Sequence, residues 1–296
     1  MSSNWAPSAS RSPSRRPIAT FDITARCPLR CAHCYFFAAP APGPDLPEAS
    51  YLERLRLVRD TYGIRSAFWV GGEPLLRLPL LRRAMSLFPR NAVATSGTLS
   101  IPTDLGAGLL VSLDGPKPLH DALRGQGTFD RVLRHVAVLP RRSFALSAVL
   151  TARTLEALEA LPELVAETGA LGVLVGFHVG PPGDPLRLDG ALRDEALARL
   201  RQVIAEHPGV VLNPVASLEF FRARAAVVDP PCIYRDRAVA FDTQLTPKQP
   251  CTFGPRADCT SCGCPVMALH ASRGADAGAS DELLRALFPR REVLDG

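Results

Sequence analysis

The chain has 296 residues, of which 47% are hydrophobic, so it can bury a large single core and is not mainly disordered. Its net charge is +5, and three of its basic residues, Arg11, Arg15 and Arg16, fall within the acid-free first twenty residues. The rest of the chain is nearly neutral, which argues against a nucleic acid or a membrane surface as the partner. No apolar run is long enough to span a bilayer.

Residues 1–16 are predicted to be a disordered tail because they are rich in Ser, Pro and Arg. An organelle transit peptide is the alternative interpretation of this acid-free start, whereas the apolar stretch of a secretion signal is missing. The predicted domains that follow are a core over 17–228, a cysteine-rich module over 229–270, and a linker with a C-terminal helix over 271–296.

Six strand–helix units are predicted along the core. The strands are Ile18–Thr24, Ile64–Val70, Ala92–Ser96, Gly108–Leu113, Ser143–Leu150 and Leu171–His178. The helices are Pro47–Tyr62, Leu78–Phe88, Phe129–Leu139, Leu155–Thr168 and Leu192–Glu206. Each strand is a nearly continuous apolar run, which is typical of a parallel sheet covered by helices. Six units are too few for an eightfold barrel, so the sequence predicts an α/β fold with a partial (β/α)6 TIM-like barrel.

The polar motifs of the core follow predicted strands and should meet at the carboxyl edge of the sheet, where such barrels place their sites. They are the cysteine loop after the first strand, Gly71-Gly72-Glu73-Pro74 after the second, Ser96, the Ser112/Asp114 turn and His178.

The eight cysteines form two groups, Cys27, Cys31 and Cys34, then Cys232, Cys251, Cys259, Cys262 and Cys264. Close clusters without an export signal indicate metal ligands in a reducing cytoplasm rather than disulfides. The first group supplies only three soft ligands, and a cubane iron–sulfur cluster held this way keeps one iron open. The alternative is zinc with His33 as fourth ligand, which is strained because His33 directly precedes Cys34.

Together these motifs resemble those of radical S-adenosylmethionine (SAM) enzymes. The resemblance rests on Cys27-x3-Cys31-x2-Cys34, on the Gly71–Pro74 turn, and on Ser112-Leu-Asp114-Gly-Pro with His120-Asp121 and Arg124. It implies that SAM binds the open iron of a [4Fe-4S] cluster through its amino and carboxylate groups. An electron from the cluster then releases a 5′-deoxyadenosyl radical, which abstracts hydrogen from the substrate.

The resemblance also implies cofactor contacts for individual residues. His33 would lie near the adenine, Gly71, Gly72, Glu73 and Pro74 would receive the ammonium group, and Ser96, Ser112 and Arg124 would reach the carboxylate or ribose. An ordinary strand-to-helix turn, serine caps and a surface arginine are the alternatives. No catalytic acid or base is predicted; His178 could face the substrate, but a rim histidine is more often structural.

The C-terminal cysteines resemble the SPASM and twitch extensions of this family. Val239–Asp242 is a predicted strand, Thr243–Gln249 a turn and return, and Asp281–Leu287 a last helix. Thr246 stands where the hairpin glycine would be, and the cysteine series is short. Five thiols suffice for one further [4Fe-4S] cluster, held by Cys232, Cys251, Cys259 and Cys262 with Cys264 as the substitute. A zinc site is the alternative.

The resemblance therefore predicts a radical SAM enzyme that modifies a peptide, as in the maturation of ribosomally made peptides. Its electrons would come from a flavodoxin- or ferredoxin-type donor. The first alternative is radical chemistry on a small molecule or lipid, such as adenosyl transfer. The second is a non-catalytic iron–sulfur carrier or zinc protein, which would not need the cofactor cradle at Gly71–Pro74.

Overall fold

An eight-stranded sheet forms the centre of the protein. The structure is a computed structural model that describes residues 15–37, 43–222, 232–272 and 277–290. Its strands are β1 Ile18–Asp22, β2 Ser66–Val70, β3 Arg90–Thr95, β4 Gly108–Ser112, β5 Ala145–Leu150, β6 Val173–Phe177, β7 Ala238–Phe241 and β8 Pro247–Lys248. Their order is β6-β5-β4-β3-β2-β1-β7-β8, with β8 antiparallel to β7 and every other neighbouring pair parallel. The predicted α/β class, with six parallel strands in sequence order, is confirmed.

Helices connect the strands. They are α1 Glu48–Tyr62, α2 Leu78–Met85, α3 Lys117–Arg124, α4 Thr128–Val136, α5 Leu161–Thr168, α6 Gly190–Glu206, α7 Ile233–Asp236, α8 Pro265–Ser272 and α9 Ala277–Leu287. The helix expected over Leu155–Thr168 is divided into a 3-10 turn, Leu155–Leu158, and α5. Pro162 explains the break, because its ring cannot donate a backbone hydrogen bond and fits only the first turn of a helix. None of the described helices is both long and apolar enough to cross a lipid bilayer.

Four aromatic side chains pack beneath the end of β1. The Phe21 ring lies 5.0 Å from Trp69 and 5.3 Å from Phe241, with Phe88 5.6 Å away. All four side chains are buried, and burying each contributes about 1.5–3 kcal/mol. This cluster holds β1, β2 and β7 together directly below the cysteine loop.

The C-terminal cysteine-rich segment joins the main sheet through β7, which pairs in parallel with β1 from Ile18 opposite Ala238 to Phe21 opposite Phe241. The Arg16 guanidinium donates to the carbonyls of Tyr234 and Ala238 over 2.6 and 2.8 Å. Three parts of the predicted domain organisation lie outside the described residues. They are residues 1–14 of the predicted tail, the predicted boundary at 228/229 and residues 273–276 of the predicted linker.

Candidate functional site

A cavity of about 280 Å³ lies inside the curved sheet and extends to the carboxyl ends of its strands. The predicted site residues that line it are Cys27, Cys31, His33, Cys34, Gly71, Gly72, Ser96, Ser112, Arg124 and Cys264. Apolar side chains such as Phe68, Leu110 and Phe177 form the rest of the wall. The other predicted residues do not line the cavity; they are Glu73, Pro74, Cys232, Cys251, Cys259 and Cys262.

The cysteine loop is held by main-chain contacts to the turn after β2. The Gly72 N–H donates to the Thr24 carbonyl and the Glu73 N–H to the Arg26 carbonyl, each over 2.8 Å. Asp45 supports the loop by accepting the Ala25 N–H over 2.6 Å. Burial raises the pKa of the Cys27 thiol to about 11, so a bound metal is what would hold this sulfur as a thiolate near neutral pH.

Gly71 and Gly72 allow this close contact. Gly71 has φ +119°, a conformation that favours glycine. A Cβ atom on Gly72 would lie 2.0 Å from the carbonyl oxygen of Arg26. The resemblance implied that this turn receives the ammonium group of SAM; the structure shows that the backbone these glycines approach is that of the cysteine loop.

Glu73 is fully buried and fixes the position of Ser96. Its Oε2 accepts the Ser96 N–H over 2.7 Å and the Ser96 hydroxyl over 2.6 Å, while Oε1 accepts the Thr95 hydroxyl over 2.8 Å. Oε1 also accepts the Leu75 N–H and so caps the 3-10 turn that Pro74 begins. Glu73 therefore acts on the cavity through Ser96.

Asp114 organises the other wall of the cavity, although the sequence suggested only a turn former. It is fully buried and binds Arg124 at two points, Nε to Oδ2 and Nη2 to Oδ1, over 2.5 and 3.1 Å. Oδ2 lies 3.5 Å from Nε2 of His33. Burial alone would raise the pKa of Asp114, but the Arg124 charge holds it well below its usual range. Burial lowers the pKa of His33 to about 4, so this imidazole is neutral near pH 7.

The second cysteine group is assembled from three separate segments. Cys232 precedes α7, Cys251 follows β8, and Cys259 begins a 3-10 turn that ends just before Cys262. Burial raises the pKa of the Cys251 thiol to about 12, and Cys262, Cys232 and Cys259 contribute to the increase, so the four thiols lie within electrostatic reach of one another. Backbone N–H groups two residues further on interact with the sulfurs of Cys232, Cys251 and Cys262, and such hydrogen bonds are typical of metal-bound thiolates.

Within the described residues, no three His, Cys, Asp or Glu side chains are close enough together to hold a single metal ion. Cys264 is buried and lines the cavity. It too interacts electrostatically with Cys262, Cys251 and Cys232.

Two contacts join the cysteine loop to the second group. The Tyr35 ring meets the Phe253 ring edge-on with centroids 5.0 Å apart. The Lys248 ammonium on β8 lies 2.9 Å from Oδ2 of the buried Asp22 at the end of β1. Burial raises the pKa of Asp22 to about 6 despite this lysine.

The rim also carries a histidine–carboxylate pair. Nε2 of His178 lies 3.1 Å from Oδ2 of Asp184, and a Cβ on the intervening Gly180 would lie 2.5 Å from that oxygen. Sequence reasoning placed His178 on the rim but missed Asp184. The signal available was the Gly-Pro-Pro-Gly turn that returns the chain to the histidine.

Comparison with known proteins places these residues in a family context. A family profile described as the Radical SAM superfamily matches residues 21–186, which is more than half of the chain. The "Pre-heme d1 synthase" of Dinoroseobacter shibae is 31% identical over 162 residues, covering 51% of this chain and 40% of that protein. This chain thus spans less than half the length of that relative.

Two solved structures share the fold. "Native anSMEcpe with bound AdoMet" has a TM-score of 0.63 at 16% identity, covering 93% of this chain and 84% of the other. Streptococcus suis SuiB bound to precursor peptide SuiA has a TM-score of 0.58 at 16% identity, covering 77% of this chain and 58% of SuiB.

Proposed function

The chain belongs to the radical SAM superfamily, and from this premise we propose that it cleaves SAM reductively at a [4Fe-4S] cluster held by Cys27, Cys31 and Cys34. When bound, the cluster and SAM supply the reducing electron and the adenosyl radical that takes hydrogen from a substrate. The observation that carries the proposal is that three thiols, a glycine turn and an arginine whose side chain is only 10% exposed line one cavity.

The cavity residues fit such a cofactor. The three thiols are soft donors of the kind that iron–sulfur clusters use. Gly71 and Gly72 present backbone rather than side chain to the cavity. Nε and Nη2 of Arg124 bind Asp114, and the remaining N–H groups of the guanidinium can donate to a carboxylate. Nδ1 of His33 is buried with no hydrogen-bond partner among the described residues, so a bound molecule would satisfy a polar atom that costs free energy when left alone.

The remaining residues position and shield. Asp114 orients Arg124 and compensates its charge, and Glu73 orients the Ser96 hydroxyl. Ser112, at the end of β4, completes the polar rim. The apolar side chains of the wall exclude water, which strengthens electrostatic interactions inside the cavity and protects a reactive intermediate.

A peptide is the substrate class that the surroundings of the cavity support best. Beside the cavity lies an open groove of about 470 Å³, lined by Ala32, Arg153 and residues 181–186. A solvent-exposed groove of this kind can hold an extended segment while one side chain enters the cavity. SuiB, which shares the fold, is described in complex with a precursor peptide.

Radical chemistry on a small molecule is the second candidate. The 31% identity over 162 residues to a pre-heme d1 synthase favours it.

The C-terminal cysteines form a second metal centre in this proposal. Its [4Fe-4S] cluster is held by Cys232, Cys251, Cys259 and Cys262, with Cys264 as the substitute ligand. Zinc is the alternative occupant, although no three His, Cys, Asp or Glu side chains of the described residues lie close enough together to hold a single ion. A flavodoxin- or ferredoxin-type protein supplies electrons, and the eight free thiols suit the reducing cytoplasm, where such donors work.

The test is 5′-deoxyadenosine formation after anaerobic loading with iron and sulfide and reduction with dithionite. The wild-type protein and Cys259→Ala form this product, whereas Cys31→Ala does not. A wild-type protein that is loaded with iron but yields none is a carrier or a binding protein. Iron analysis decides the second centre, because about eight irons per chain indicate two cubanes and about four indicate one.

The substrate class is tested in the same assay. Peptides encoded beside the gene and a heme precursor are added separately, and mass spectrometry follows both 5′-deoxyadenosine and the added molecule. A peptide that changes mass only in the presence of SAM supports the first candidate. A change in the heme precursor alone replaces it with the second.

A further inference from the structure

Arg193 is a fully buried cation in the first turn of α6. Its residue is 1% exposed. The guanidinium donates to three main-chain carbonyls, those of Leu188 over 3.1 Å, of Cys262 over 2.9 Å and of Phe221. Its Cζ also lies 5.1 Å from the centroid of the Phe177 ring. The three carbonyls satisfy hydrogen bonds of the guanidinium, but none of the groups in contact with it carries a negative charge.

Within the described residues, no carboxylate forms an ion pair with Arg193. The two acids that act on its charge, Asp189 and Asp258, both bind Arg187 instead, each over 2.7 Å. The Asp189 side chain is 51% exposed, so solvent screens its charge. A buried charge without an opposite charge is costly, and an arginine cannot relieve the cost by losing its proton.

In the part of the chain that the structure describes, the second cysteine group is the remaining source of negative charge beside Arg193. The Cys262 carbonyl accepts from the Arg193 guanidinium over 2.9 Å, and a thiolate at Cys262 would lie within electrostatic reach of that charge. Neutral thiols would provide no compensation. A cubane with four thiolate ligands is doubly negative when oxidised and triply negative when reduced.

We propose that Arg193 is the counter-charge of a [4Fe-4S] cluster held by Cys232, Cys251, Cys259 and Cys262, and that it raises the reduction potential of that cluster. The inference rests on the second centre of the proposed function. Reduction adds one electron to the cluster, and a nearby fixed cation stabilises the more negative, reduced form more than the oxidised one. Arg193 acts through electrostatics and does not itself line the cavity.

The test is a redox titration of the loaded protein with dithionite, followed by electron paramagnetic resonance of both clusters. Arg193→Met removes the charge with little loss of packing, and Arg193→Lys keeps the charge. We expect Arg193→Met to lower the equilibrium constant for one-electron reduction of the second cluster at least tenfold, which lowers its reduction potential by about 59 mV or more. Arg193→Lys stays near the wild-type value, and the first cluster does not change.

Arg199→Met is the matched control, because Arg199 lies on the same helix and pairs at the surface with Glu159 over 2.6 Å. It should leave both potentials unchanged. The proposal would be overturned if the reduction potential of the second cluster were unchanged in Arg193→Met, or if it fell equally in Arg193→Lys. An equal fall of this reduction potential in Arg199→Met would also overturn it.

Loss of the second cluster in a variant is also decisive. If Arg193→Lys retains the irons of the second group and Arg193→Met does not, the charge is required and the proposal stands. If neither retains them, the hydrogen bonds to the carbonyls are what matter, and the proposal fails. Zinc or no metal in the wild-type second site overturns this inference alone, because SAM cleavage at the first cluster is measured separately.

Discussion

Gly72→Ala tests whether the turn after β2 must touch the cysteine loop. The new Cβ would lie 2.0 Å from the Arg26 carbonyl oxygen and 2.6 Å from its carbon, and backbone cannot move aside as a flexible side chain can. The turn must therefore separate from the loop and lose the two hydrogen bonds to Thr24 and Arg26. Each bond is worth about 1 kcal/mol and the overlap adds about 1–3 kcal/mol, so we expect the free energy of unfolding to fall by about 3–5 kcal/mol.

The assay is urea unfolding of the anaerobically loaded protein, followed by circular dichroism and by cluster absorbance. Gly278→Ala is the matched control, since that glycine lies in helix α9 with no atom within 4 Å of a new Cβ. It should leave the free energy of unfolding unchanged or raise it by up to about 1 kcal/mol. Equal stability of Gly72→Ala and wild type would refute the contact.

Two further predictions concern buried carboxylates. Asp114→Asn leaves the Arg124 guanidinium without its counter-charge and should lower the free energy of unfolding by about 3–5 kcal/mol. The control is Asp104→Asn, which removes an exposed pair with Arg82 and should have no measurable effect. Equal free energies of unfolding in the two variants would contradict the first expectation. Asp22 has its pKa raised from 3.8 to about 6 in the folded protein, so the fold favours the protonated carboxyl, and the stability it gives is lost as pH rises through about 6. Between pH 5 and 7.5 the wild type should lose about 1.4 kcal/mol relative to Asp22→Asn, and a constant difference between the two in urea unfolding would refute this.

Sequence pattern was sufficient for the core of the fold. Each strand from β1 to β6 is a short apolar run ended by Gly, Ser or a polar turn, and local composition carries that signal. Helix α3 was missed because its eight residues begin at Lys117-Pro118 and offer only two turns of periodicity. The pairing of β7 with β1 was also missed, since more than two hundred residues separate them and no local pattern encodes register.

The candidate site divides in the same way. The residues that line the cavity follow strand ends, so their meeting was predictable. Their hydrogen bonds were not, because pairs such as Asp114 with Arg124 depend on how α3 folds back on the end of β4. Arg193 shows the limit most clearly: an arginine in an amphipathic helix is normally at the surface, and only the packing of α6 against Cys262 and Phe177 reveals it as buried.

The most direct test of the account is the electron paramagnetic resonance spectrum of the dithionite-reduced, iron-loaded protein before and after SAM is added. We predict that SAM shifts the signal of the cluster at Cys27, Cys31 and Cys34 in the wild type and in Cys262→Ala, and that Cys31→Ala shows no such shift. A wild-type spectrum that stays the same when SAM is added would contradict the central claim.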